Sequence, residues 1–313
     1  MAKLRTHSVL GAIDVGTNAV RLELARVLPN GSLETLHQER DPVRSGEGVF
    51  TTGYIPQAVA TRLMSTLRRY AALCRQHHAK VRAVATSAIR EARNRDDIVR
   101  RARAEAGIRL EVISGVEEAR LICLGVLHGK APKVRSVCID IGGGSTEVAT
   151  ALGETPNALW SVALGSVRIT DLFKTSGNIS SKKLKLVREY VREVVREALP
   201  RPRPGGVRRA LGSSGTIGAV VAYASDGAGF ATARQVTVTL EALAAMSPRE
   251  RRARFEPKRA ELIVGGTVIL DALLEHLRLN GVKAVQRGLR DGILVDSALQ
   301  QRARMKLAGG NVR

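Results

Sequence analysis

The sequence predicts an α/β protein built from two similar domains, and three features carry that expectation. The pattern strand, aspartate, glycine-containing turn, hydroxyl, strand occurs twice, around DVGTN at 14–18 and around DIGGGST at 140–146. A repeat of that size signals a duplicated unit. Short β-prone runs are interspersed with segments of helical spacing along the chain, as in an α/β protein. The 313 residues, 44% hydrophobic, are enough for two cores. The expected units are 1–129 and 130–313.

In chain order, residues 8–13 form an apolar strand that runs into Asp14. After Val15-Gly16-Thr17-Asn18, the alternating run 19–25 returns as a second strand, and residues 33–39 add a third. Residues 41–52 read as a loop whose Arg44 faces either solvent or a cleft. Residues 55–79 place Val59, Leu63, Leu67 and Leu73 at helical spacing. A short strand at 81–85 leads into Thr86-Ser87-Ala88-Ile89-Arg90, and Asn94 stands where it would cap a helix whose first turn holds Asp96 and Asp97. Arg90 is either a surface arginine or a phosphate clamp, since guanidinium holds phosphate oxygens bidentately. Residues 110–113 are the next strand, and Ser114 with Glu117 has the capping-box spacing of a helix running through Leu127. Glu118 points about 100° away from Glu117 around the helix axis. It is either a solvated, ion-paired residue or a carboxylate over the gap between the two aspartate turns.

The second unit begins with a basic, proline-containing linker at 130–135. In the DIGGGST turn, three residues without a Cβ let backbone N–H groups converge on an anion. Gly142, Gly143, Gly144, Ser145 and Thr146 thus read as a phosphate cradle; taken alone they would equally make a glycine-rich hairpin. Asp140 ends a strand expected to be buried, where a bare carboxylate is unfavourable. A hard cation such as Mg²⁺ is its simplest partner. Residues 158–164 form a third strand. Residues 181–199 make an amphipathic helix with Val187, Val191, Val194 and Ala198 on the apolar stripe, and a basic ridge that reads as a solvated, salt-bridged face. A linker-like loop at 201–206 precedes residues 208–211 and the turn Gly212-Ser213-Ser214-Gly215-Thr216. That turn opens a helix and is either a second anion site or an ordinary helix start. Residues 240–255 and 259–279 read as helices and 283–286 as a strand. Residues 288–292 turn into a last helix expected to pack back on the first domain.

Fifty Lys plus Arg against 29 Asp plus Glu give a net charge of +21, which favours polyanionic partners. Aromatic residues are only 3%, and no helix-turn-helix or zinc-finger spacing occurs, which argues against a specific nucleic-acid partner. No apolar run approaches the roughly 20 residues of a membrane helix, and the N-terminal stretch lacks a leader pattern, so a cytoplasmic location is expected. Cys74, Cys123 and Cys138 form no CxxC pair and read as small buried hydrophobes.

Taken together and in order, the two aspartate turns, TSAIREARN, GVEEAR, GSSGT and GLRDGIL resemble the exopolyphosphatase / guanosine-pentaphosphate phosphohydrolase (Ppx/GppA) family in its short, two-domain form. The likeness runs from residue 8 to about residue 300. It implies two ribonuclease H-like domains of the actin, hexokinase and heat-shock ATPase-like superfamily, with the active site in the cleft between them. It also implies catalytic roles for Glu118, Asp14, Asp140 and Glu147, so Glu118 moves from the solvated reading to the cleft. Arg90, Asn18, Gly142, Gly143, Gly144, Ser145, Thr146 and Gly215 would hold phosphate, and Asp14, Asp140 and Glu147 would hold Mg²⁺ or Mn²⁺. The implied reaction is hydrolytic release of terminal orthophosphate from inorganic polyphosphate. Guanosine pentaphosphate is the alternative substrate, and a homodimer is implied. A non-catalytic polyphosphate-binding regulator would be expected to lack one of the four carboxylates, and all are present.

Overall fold

The computed structural model describes residues 8–129, 133–201, 207 and 209–309, with side chains described to residue 304. Parts of both expected linkers, 130–132 and 202–206, lie outside the described residues, as do the N-terminal residues 1–7 and Arg208.

Strands β1 (Val9–Val15), β2 (Val20–Val27) and β3 (Leu33–Asp41) form an antiparallel meander. Helices α1 (Val49–Thr52) and α2 (Gln57–Gln76) precede β4 (Lys80–Ala85). Then come α3 (Ser87–Glu91), α4 (Arg95–Ala106), β5 (Leu110–Val112) and α5 (Gly115–Leu127). The second passage opens with another antiparallel meander, β6 (Arg135–Ile141), β7 (Thr146–Leu152) and β8 (Thr155–Val162). It continues through α6 (Ser166–Phe173), α7 (Ser181–Ala198), β9 (Arg209–Ser213), α8 (Ser214–Ala224) and β10 (Phe230–Thr232). Helices α9 (Ala233–Ala245), α10 (Pro248–Arg254) and α11 (Pro257–His276), strand β11 (Gly281–Ala284) and helix α12 (Leu289–Gly309) complete the chain.

The duplication read from the two aspartate turns is present in the topology. The first sheet runs β3-β2-β1-β4-β5, and the second runs β8-β7-β6-β9-β11 with β10 added at its edge. In both, an antiparallel pair flanks the central strand and the next two strands are parallel to it. This is the order expected of ribonuclease H-like sheets. One core lies between the first sheet and helices α2 and α4, around Leu63, Leu67 and Ile98. The other lies between the second sheet and α7, α8, α9 and α11, around Ile139, Val191 and Ile269.

Helix α5 joins the two. Its Leu121 packs with Ile293 and Leu294 of α12 on the first sheet, while Ile122, Cys123, Val126 and Leu127 pack on Cys138, Ala149 and Leu211 of the second. Burying such side chains stabilises by roughly 1.5–3 kcal/mol each. Holding Glu118 ionised in the same helix costs on the order of 3 kcal/mol, given a shift from 4.5 to about 7. The apolar faces therefore win, and a buried carboxylate is tolerated at the helix start.

Several local expectations are corrected. The run 240–255 is two helices, because Pro248 cannot continue α9; it sits at the first position of α10, which Ser247 and Glu250 cap reciprocally. Asn94 makes no cap bond; its amide grips both backbone groups of Ile55, at 3.0 and 2.9 Å. Ser114 accepts from the Glu117 N–H at 3.1 Å, but the Glu117 carboxylate pairs with Arg120, so the capping box is half formed. Arg90 lies inside α3, not ahead of a helix. On α7 the buried stripe ends at Val195, with Val194 half-buried and Ala198 exposed. The basic ridge there is tied to α11 through Arg188 to Asp271 (3.0 Å) and Arg192 to Glu275 (2.7 Å). All three cysteines are buried and free.

Candidate active site

A cavity of about 420 Å³ opens between the carboxyl ends of β1 and β6. Each central strand delivers an aspartate into it, and each hairpin returns through a turn that also lines it. Asp14 stands opposite Arg21 in the β1–β2 register, and Asp140 stands opposite Glu147 in the β6–β7 register. One position of the repeat thus carries a base in the first half and an acid in the second.

Asp14 is 4% exposed; Arg21 donates to its Oδ2 at 3.3 Å, while Oδ1 is buried with no hydrogen-bond partner among the described residues. Ser213 donates to Oδ2 of Asp140. Burial pushes both carboxyls above the ordinary aspartate range, with Arg21 opposing the shift in each. Glu118, at the start of α5, is 6% exposed and also lines the cavity. Arg90 donates to its Oε2 at 2.9 Å and to the Ile113 carbonyl at 3.0 Å. Desolvation raises Glu118 to about 7 against the pull of Arg90. A carboxylate titrating there suits proton transfer near neutrality.

Asn18, Gly142, Gly143, Gly144, Ser145 and Gly215 all line the cavity. Three other candidates do not. Thr146 is buried and donates its hydroxyl to the Leu164 carbonyl at 2.7 Å, so that hydroxyl serves the hairpin. Glu147 lies behind Asp140, accepts from Ser161 at 2.8 Å, and is raised well above the glutamate range by burial and by Glu118 and Asp140. Arg90 touches the site through Glu118. Among the described residues, no three acidic, histidine or cysteine side chains form a preassembled ligand set.

Sequence reading missed the cationic wall of this cavity. Arg21, Arg40, Arg259, Arg287 and Arg290 all line it. Arg259 donates to the Thr216 hydroxyl at 3.3 Å, and burial together with Arg40 lowers its pKa. Arg290 lies 3.7 Å from Glu23, itself buried and held by Thr35. The seven-residue offset shared by Asp14 to Arg21 and Asp140 to Glu147 is the signal that would have found Arg21. Arg44, the loop arginine left open between solvent and cleft, reaches Glu261 of α11 at 3.4 Å.

Residues 26–301 match the model of the Ppx/GppA phosphatase family. The chain is 33% identical to Exopolyphosphatase 2 of Mycobacterium tuberculosis, over 92% of this chain and 98% of that protein. It is 29% identical to Exopolyphosphatase 1 of Mycobacterium leprae, over 91% of this chain and 88% of that protein. Among solved structures, an exopolyphosphatase from Cytophaga hutchinsonii superimposes with a TM-score of 0.83 at 25% identity, covering 93% of this chain and 98% of that one. The Aquifex aeolicus member of the same family superimposes at 0.80 and 25% identity, covering 94% and 98%.

Proposed function

The chain belongs to the Ppx/GppA phosphatase family, and from that premise and the chemistry of the cleft we propose that it is an exopolyphosphatase, hydrolysing the terminal phosphoanhydride of inorganic polyphosphate. The observation that carries the reading is the pairing, within one cavity, of a buried glutamate raised to about 7 with an arginine-lined wall. A polyanion needs the wall, and a water nucleophile needs the base.

In this reading the N–H groups of the glycine loop receive the terminal phosphate. Among the described residues, Gly143 and Gly144 donate to no backbone acceptor, which leaves their N–H groups available. Glu118 accepts a proton from water as its oxygen bonds to the terminal phosphorus. The bond to the bridging oxygen breaks, orthophosphate leaves, and the shortened chain keeps that oxygen. Arg90 holds Glu118 in place and limits how far burial raises its pKa.

The donor set fits a hard divalent cation. Asp14 carries a buried oxygen with no partner, and Asp140 faces the same cavity. Both would hold the ion, with Glu147 opposite Asp140 in the hairpin register. Their oxygen-only chemistry and small number favour Mg²⁺ over a fully caged ion. When bound, the ion would supply charge neutralisation at the phosphoryl oxygens. The two sheets, each with its own core, support a division of the chain into units 1–129 and 130–313, with α12 returning to pack against the first.

The experiment is orthophosphate release from long polyphosphate, short polyphosphate and guanosine pentaphosphate, each with Mg²⁺ and with chelator. Release from polyphosphate, lost in chelator, is expected. Release from guanosine pentaphosphate alone would move the assignment to the nucleotide, and release from none would remove it.

A further inference from the structure

The glycine loop is held from behind by α6, one carbonyl at a time. The Gly142 carbonyl accepts from the Ser166 N–H (3.0 Å) and hydroxyl (3.3 Å). The Gly143 carbonyl accepts from the N–H groups of Val167 (2.9 Å) and Arg168 (3.1 Å). The Gly144 carbonyl accepts from the Arg168 side chain, through Nε at 2.8 Å. Because a peptide plane is rigid, pinning each carbonyl aims the N–H of the following residue the opposite way. The backbone of α6 thus aims Gly143 and Gly144, whereas the side chain of Arg168 aims Ser145.

That side chain is anchored in the other half of the molecule. Arg168 Nη2 donates to both carboxylate oxygens of Glu91 in α3, each at 2.7 Å, and Ser87 donates to Glu91 at 2.7 Å. The guanidinium lies 4.1 Å from the ring centre of Phe50 in α1. An exposed ion pair would be worth about 0–1 kcal/mol and imply nothing more. The Arg168 side chain is only 13% exposed, against 39% for Glu91, and its Nε is committed to the loop.

We infer that Arg168 is a positioning residue: gripped by Glu91 across the cleft, it sets the direction of the Ser145 N–H toward the terminal phosphate and makes that direction depend on the two halves being held together. The inference rests on the reading of the loop as the seat of that phosphate. Arg168 acts through the peptide and touches no substrate.

The test compares wild type with Arg168→Lys, which keeps the charge but loses the fork that spans Gly144 and Glu91, and with Glu91→Gln, which leaves the Nε bond in place. KM for polyphosphate, the inhibition constant of orthophosphate and Tm are measured for each. For Arg168→Lys, KM and the orthophosphate constant should rise together by about tenfold, one charge-assisted hydrogen bond's worth. Glu91→Gln should shift both in the same direction by less, and remains the informative variant if Arg168→Lys does not fold. Unchanged values of both constants, with or without a lower Tm, would reduce the pair to a structural bridge. A wild-type protein that releases no orthophosphate would instead overturn the functional reading beneath it.

Discussion

Glu118 shows what a single residue gains from its place. Its neighbour Glu117 is solvated enough to pair with Arg120 and is held below the ordinary glutamate range by that arginine. One step round the helix, Glu118 is buried with Asp14 and Asp140 nearby and is raised to about 7. An acid whose folded pKa lies above its unfolded value stabilises the fold fully below the unfolded value and loses that contribution as pH rises through the folded one. In chelator, Tm should therefore fall as pH goes from about 4.5 to about 7, and Glu118→Gln should flatten the fall. A wild-type Tm that rises over that interval would contradict the assigned environment. At this scale the sequence was partly legible: GVEEAR marked the helix start, but its helical geometry left Glu118 open between solvent and cleft. The burial that decides the matter comes from α5 lying between two sheets.

At the scale of elements, the site depends on how closely α5 and α12 cross. A Cβ on Gly292 would stand 1.8 Å from the Leu121 carbonyl oxygen, and one on Gly125 would stand 2.2 Å from the Gly288 carbonyl oxygen. Both obstacles are backbone, so neither helix can yield without moving the other. Gly292→Ala should lower the unfolding free energy by about 1–3 kcal/mol in urea titration and reduce turnover, because α5 carries Glu118. A variant as stable as wild type would show that the crossing has slack. GLRDG was legible as the entry to the last helix, and its second glycine was not legible as a contact. Local spacing announces a turn, whereas helix-to-helix distance is set by partners some 170 residues away, Leu121 against Gly292. For the same reason α6 went unpredicted: its eight residues start shortly after β8 and owe their place to the loop carbonyls they bind.

Across the whole molecule, duplication was the most readable feature and the cationic wall the least. Two aspartate turns of one design gave the two sheets and the gap between them. The five cleft arginines come from β2, β3, α11, the β11–α12 connection and α12, and apart from Arg21, which the hairpin offset marks, nothing local separates them from the other basic residues in a chain with 50 Lys plus Arg. Only the folded arrangement places them around Asp14, Glu118 and Asp140, the carboxylates that line the cavity with Asp291. The halves also meet through Arg44 with Glu261 and Arg168 with Glu91, so the cleft is braced on more than one side. The most direct measurement is orthophosphate release from polyphosphate by wild type and by Glu118→Ala, with polyphosphate binding followed in parallel. The account requires release to disappear while binding persists, because the arginine wall is untouched; near wild-type turnover in the variant would contradict it.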